Sequence, residues 1–195
     1  MNQKIKRQRQ WLLGIVTALV FLGVGAVARA SDNVSVRWDL INAVFPDFSA
    51  GGVASPSAGD GSRITVTGSG TFQVADGSFE EETGGGTWET RDASNTVTGS
   101  GTYRVRGVVL FTRAPGLLPS PPIIDHIGNA ADASAGLLVL RVGYSDGSRG
   151  ILVVDCAIVG SPPSIVEGIT ATKGFLNYLN SSHSATLFHV QAAHE

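Results

Sequence analysis

Cysteine occurs once in this 195-residue chain, at Cys156, which excludes a disulfide within it. Its neighbours Val153, Val154, Ala157 and Ile158 make that thiol a small buried group rather than a reactive one. Methionine also occurs once and lysine three times, so two helix-favouring residues are scarce. Glycine, at 25 residues, with abundant Thr, Ser and Val, suits strands and turns instead. There is no His-Glu-x-x-His, and the glycine-rich stretches lack the Gly-Lys-Ser/Thr of a phosphate loop. His183, His189 and His194 lack the i, i+4 spacing of a helical zinc pair, and Glu80-Glu81-Glu82 lacks the alternating oxygen ligands of a calcium loop. No metal, no cofactor and no nucleophile elbow is expected.

Acidic residues are missing before Asp32. Lys4, Lys6, Arg7 and Arg9 lead into an apolar run from Trp11 to Ala28, which exits through Ala28-Arg29-Ala30. A basic start, an apolar stretch and small residues at the −3 and −1 positions are what translocation and signal peptidase require. Residues 1–30 are therefore read as a signal peptide cleaved after Ala30. Residues 31–195 form a single domain with a secreted or periplasmic destination, and the membrane is met only during export. The competing reading is an uncleaved anchor, because 18 residues just span a bilayer. Removing the five basic residues of the signal leaves nine against sixteen acidic ones, a net charge of −7. That argues against nucleic acid and anionic membrane surfaces as partners, since both need a basic face.

Period-two alternation dominates the rest. From Arg63 to Val74 the even positions Ile64, Val66, Phe72 and Val74 are apolar and the odd ones polar, the pattern of one long strand with a buried face. Val34, Val36, Trp38 and Leu40 alternate in the same way. A hairpin around Asp92-Ala93-Ser94-Asn95 pairs Arg91 with Thr96, sets Trp88 over Gly99, and gathers Trp88, Gly101, Tyr103 and Val105 on one face. Val66-Thr-Gly-Ser-Gly-Thr-Phe-Gln-Val74 is echoed by Val97-Thr-Gly-Ser-Gly-Thr-Tyr-Arg-Val105, glycines where a strand bends followed by an aromatic. Ser49–Ser62 reads as a mobile loop, Ala114–Ala133 as a long irregular connection, Ile165–Leu179 as one strand, and Ala185–Val190 as the last.

The segment 135–159 is different. A two-residue loop at Asp146-Gly147 places Arg141 opposite Leu152 and Asp155 opposite Leu138. Both faces of that hairpin are then apolar, with Arg141 and Asp155 on opposite sides. A strand pair buried on both sides asks for a cover, either another segment or another subunit. The fold expected is all-β, an antiparallel eight-stranded meander barrel preceded by the signal helix.

The one-sided strands, the Gly-Ser-Gly-Thr-aromatic elements and Gly84-Gly-Gly-Thr-Trp88 resemble small exported bacterial barrels of the allene-oxide-cyclase and dirigent type, over roughly residues 34–190. The resemblance implies an antiparallel barrel with a hydrophobic cavity that often assembles through its outer faces. No catalytic residue of the plant enzymes maps onto this chain, so cyclase activity is not carried over.

Candidate chemistry is sparse. Asp125 and His126 lie together in the long connection, where His126 would serve as a base or ligand; adjacent loop residues usually point apart, which favours a structural role. Asp155 on an apolar strand would titrate high and act in a cavity, or else be a buried carboxyl bonded to backbone or Tyr144. Trp38, Phe72, Trp88, Tyr103 and Tyr144 are the side chains that would line a ligand cavity. The leading expectation is a non-enzymatic exported barrel that binds a small apolar molecule or assembles with itself through the 135–159 hairpin. The alternative is an isomerase or cyclase that uses the cavity as a template, with Asp155 or His126 as acid or base.

Overall fold

The structure, a computed structural model, describes residues 33–180 and 184–192. The signal segment, its cleavage site, His183 and His194 lie outside the described residues. Thirteen strands and one short 3₁₀ turn make up the rest: β1 (Val34–Val44), β2 (Asp47–Ala50), β3 (Arg63–Val66), β4 (Ser69–Ala75), β5 (Ser78–Glu80), β6 (Gly85–Arg91), β7 (Val97–Ala114), β8 (Ile124–Asp125), the turn Ala130–Asp132, β9 (Ala133–Tyr144), β10 (Arg149–Cys156), β11 (Gly168–Lys173), β12 (Leu176–Tyr178) and β13 (Ala185–Ala192).

The protein is all-β and closes into an antiparallel barrel. The closed circuit runs β1–β4–β6–β7–β9–β13 and back to β1, with six strands rather than the expected eight. The remaining seven are added outside the circuit, and β10, β11 and β12 extend it from β9. Two long strands explain the smaller ring. β7 runs for 18 residues, with register shifts between Val105 and Gly107 and between Val108 and Leu110. Each bulge increases the local twist and coil, which lets this one strand wrap far around the ring. β9 serves three neighbours: β7 along one edge, and on the other β13 through Ala133 and Ser134 and β10 through Gly136–Gly143.

The alternation in the sequence maps onto the wall. Val36, Trp38 and Leu40 of β1, Phe72 of β4, Trp88 of β6 and Leu138, Leu140, Val142 and Tyr144 of β9 are buried. Three segments break where the sequence suggested continuity or freedom. Arg63–Val74 is two strands, because the chain turns a corner at Thr67-Gly68, where the Tyr103 hydroxyl donates to Thr67 O at 2.8 Å. The stretch from Ile165 to Leu179 is a hairpin of β11 and β12 turning at Gly174, with Phe175 in solvent and Tyr178 buried. The 51–62 loop is pinned to the wall by Gly52 N to Leu40 O and by the Ala54–Val66 bridge.

Two registers differ from expectation. Trp88 sits opposite Gly101 rather than Gly99, a slip of two residues that keeps the same face. Its ring still covers both glycines, since a Cβ on either would come within 3.2 Å of it. At the second hairpin the loop has three residues, Ser145-Asp146-Gly147, closed by Tyr144 N to Ser148 O at 2.9 Å, with Gly147 at φ +88°. Asp146 Oδ1 accepts from both Ser148 N and Ser148 Oγ, which holds the tighter turn. The parity therefore shifts by one. Arg141 faces Ile151 and Asp155 faces Leu137. Leu138, Leu140, Val142, Leu152, Val154 and Cys156 all point inward, and Leu137, Val139, Arg141, Ile151, Val153 and Asp155 share the outer face. The hairpin is buried on one side only, and Arg141 and Asp155 are on the same side. Full burial of both faces occurs instead on β13, where Leu187, Phe188, His189 and Val190 are all buried.

Candidate functional site

The interior offers the first place to look, and its aromatic side chains pack against one another. At one end Trp88 meets the Tyr144 ring edge-on at 5.8 Å, and Tyr103 lies 6.1 Å from Tyr144. At the other, Phe72 packs edge-on against Phe79 and Phe111, and Phe111 against Phe188, at 5.4–5.8 Å. Tyr144 donates its hydroxyl to Thr172 O at 2.8 Å, and Trp88 its indole N–H to Thr102 O at 3.1 Å. Burial raises both the Tyr103 and Tyr144 phenols far above their ordinary value. The five aromatic residues singled out from the sequence, Trp38, Phe72, Trp88, Tyr103 and Tyr144, thus gather in one core. Four of them pack ring against ring, and the fifth, Trp38, is fully buried with its indole N–H unpartnered among the described residues.

The acid–base candidates are scattered. Adjacent in sequence, Asp125 and His126 point apart. His126 Nε2 lies 2.7 Å from Asp47 Oδ1 on the surface. Asp125 turns inward: its Oδ1 accepts from Ile127 N and Gly128 N, and its Oδ2 lies 2.7 Å from His189 Nε2. Both members of that pair are nearly inaccessible, at 2% and 4% exposure. It clips the long 114–133 connection over the outside of β13, beside the Arg37–Asp39 pair. Asp155 is on the outer wall, half-buried and without a partner among the described residues; burial raises its pKa. Neither Asp155 nor His126 borders the interior.

The sequence does contain a Gly-x-Ser-x-Gly spacing, Gly143-Tyr-Ser-Asp-Gly147. It forms the β9–β10 hairpin loop rather than a strand-to-helix elbow, and Ser145 Oγ accepts from Thr102 N at 3.1 Å. Cys156 is fully buried, hydrogen-bonded to Thr186 O, and its thiol is pushed up to about 12, first by burial and then by Glu167. Glu167 was not marked by the sequence. Its carboxylate accepts from Ala157 N, Thr186 N and Thr186 Oγ1, tying the end of β10 to the start of β13. Burial nonetheless pushes its pKa up to about 7.

What is left is the outer wall of β7, β9 and β10. Its middle is apolar: Leu137, Val139, Ile151 and Val153, joined across β7 by Leu110, which is 45% exposed. Toward the hairpin loop the same wall opens into a cleft of about 890 Å³, lined by Arg106, Arg141, Arg149, Ile151 and Thr172 over Gly143 and Gly150. Arg104 stands on the same rung as Gly143, with Arg149 on its other side. Every other basic side chain of the described residues is engaged. Arg37, Arg91 and Lys173 pair with Asp39, Glu89 and Asp146, and Arg63 and Arg113 donate to Asn95 and Ser134. Arg104, Arg106, Arg141 and Arg149 have no such partner. The sequence did carry a signal for this cluster, the closely spaced Arg-Gly elements Arg104-Val-Arg-Gly107, Arg141-Val-Gly143 and Arg149-Gly150. Compared with known proteins, the chain matches no family model, no curated protein and no solved structure.

Proposed function

We propose that the protein is an exported, non-enzymatic barrel that works through its outer wall, by assembling with a second copy through the β7–β9–β10 face. The observation that carries this reading is the contrast between a packed interior and an outer face whose middle is apolar. A cavity binder needs room inside, and here the side chains that would line a cavity are in contact with one another. A template enzyme needs an acid or base beside that room, and Asp155 and His126 are both outside it.

A second copy fits the strip for an electrostatic reason. Two chains of net charge −7 approach most easily where neither presents acids, and the strip carries one acid, Asp155, whose raised pKa makes it easier to neutralise. Stacked end for end about a two-fold axis, each Asp155 lies toward the arginine-bearing end of the other copy. The resemblance to allene-oxide-cyclase and dirigent-type barrels, which assemble through outer faces, favours the same arrangement. Val153→Glu places a charge at the centre of the strip without touching the core, and light scattering on the exported protein is expected to report a change from dimer to monomer. A wild-type protein that is already monomeric at 100 μM overturns the proposal.

A further inference from the structure

We propose that the cleft between β7, β9 and β10 is a binding site for a small ligand carrying two or more oxyanion groups (phosphate, sulfate or carboxylate). The inference does not depend on self-association, because Arg106 and Arg149 lie beyond the last apolar rung, at the hairpin end of the wall.

Three observations carry it. First, the cations are crowded yet uncompensated. Arg106, Arg141 and Arg149 line one cleft with Arg104 beside it, none has an acidic partner among the described residues, and the other lysine and arginine side chains there are all engaged. Like charges brought together repel unless an anion sits among them. Second, the crowding is built into the backbone. The side chain of Arg106 lies across Gly143 of the neighbouring strand, where a Cβ would come 3.0 Å from its Nε. Reciprocally, that of Arg141 lies on Gly107, where a Cβ would come 2.7 Å from its Nη2. Each strand supplies the arginine that the glycine of the other seats, so both side chains are laid along the sheet before any ligand arrives. Third, the cleft has the size of a small-molecule site, about 890 Å³. Guanidinium groups take carboxylate, sulfate and phosphate oxygens two at a time, and several of them select a ligand with more than one such group. The rest of the lining argues for capture rather than chemistry. Thr172 O and Oγ1 are bonded to Tyr144 and Ile151 N, and Ser148 Oγ to Asp146.

Calorimetric titration of the exported protein with pyrophosphate, citrate and inorganic sulfate tests the assignment. Pyrophosphate and citrate are expected to bind saturably and at least tenfold more tightly than sulfate, and the ratio of the first two separates phosphate from carboxylate preference. The Arg106→Gln/Arg149→Gln double variant is expected to weaken binding at least tenfold, and Arg91→Gln, remote and engaged with Glu89, to leave it unchanged. Gly143→Val keeps every charge but displaces the Arg106 side chain, so it too is expected to weaken binding several-fold. Absence of saturable binding by the wild type, equal binding by the double variant, or an equal loss in Arg91→Gln overturns the proposal. Unchanged binding in Gly143→Val overturns the seated-arginine geometry.

Discussion

Glu167→Gln isolates the junction that closes the wall between β10 and β13. In the native protein one carboxylate oxygen accepts from Ala157 N, and the other from Thr186 N and from Thr186 Oγ1 at 2.9 Å. An amide of the same shape keeps one acceptor and turns the other into an NH₂ group. Whichever way it is rotated, a donor then faces a donor in a mostly buried place. The loss of one hydrogen bond and the stranding of a backbone N–H cost about 1–3 kcal/mol. For a domain of this size each kcal/mol lowers Tm by about 2–4 °C, so a fall of about 4–8 °C is expected for a mid-range cost of about 2 kcal/mol. The pH dependence gives a second handle. Burial raises the folded-state pKa of Glu167 to about 7 from an ordinary 4.5. The native state therefore binds more protons than the unfolded chain between those values, and the contribution of this group is full below about 4.5 and lost as pH rises through 7. The variant has nothing to titrate there. Its deficit against wild type in thermal unfolding followed by circular dichroism is expected to be larger at pH 5 than at pH 8. A deficit that is absent, or that grows with pH, refutes the reasoning.

Other outcomes follow from the same contacts. Phe72→Ala removes a ring that packs edge-on against Phe79 and Phe111, and is expected to destabilise by about 3–5 kcal/mol in urea unfolding. It also opens a space lined by those rings, so a benzene-sized probe seen by NMR is expected to bind the variant and not the wild type. Asp125→Ala strips the partner from a nearly inaccessible imidazole, with an expected cost of about 1–3 kcal/mol and faster proteolysis within residues 114–133. His126→Ala breaks only an exposed pair with Asp47, and its effect is expected to stay within about 1 kcal/mol.

Much of the wall was legible in the sequence because period-two patterning is a local signal. The buried faces of β1 and β4, the Trp88 platform and the inert Cys156 all follow from it. Strand count and register were less legible, because they depend on turns and bulges that a single residue decides. The shift at Ser145-Asp146-Gly147 comes from one extra loop residue held by Asp146, and it moves Arg141 and Asp155 onto a common face. Bulges in β7 shift its register against β9 twice, and no periodicity in the sequence marks them. The site was legible in composition but not in place. Four arginines near glycines are visible in the text of the sequence, but their convergence requires the β7–β9–β10 register, and their isolation shows only once every other basic group has found its partner. The Asp125–His189 pair spans 64 residues, and no local pattern announces it.

Sedimentation equilibrium of residues 31–195, from low to high micromolar concentration, tests the central claim most directly. A mass that rises to twice that of the chain, and that falls back to one chain in Val139→Glu and Val153→Glu with their far-ultraviolet spectra unchanged, is the predicted result. A single-chain mass throughout in the wild type contradicts it.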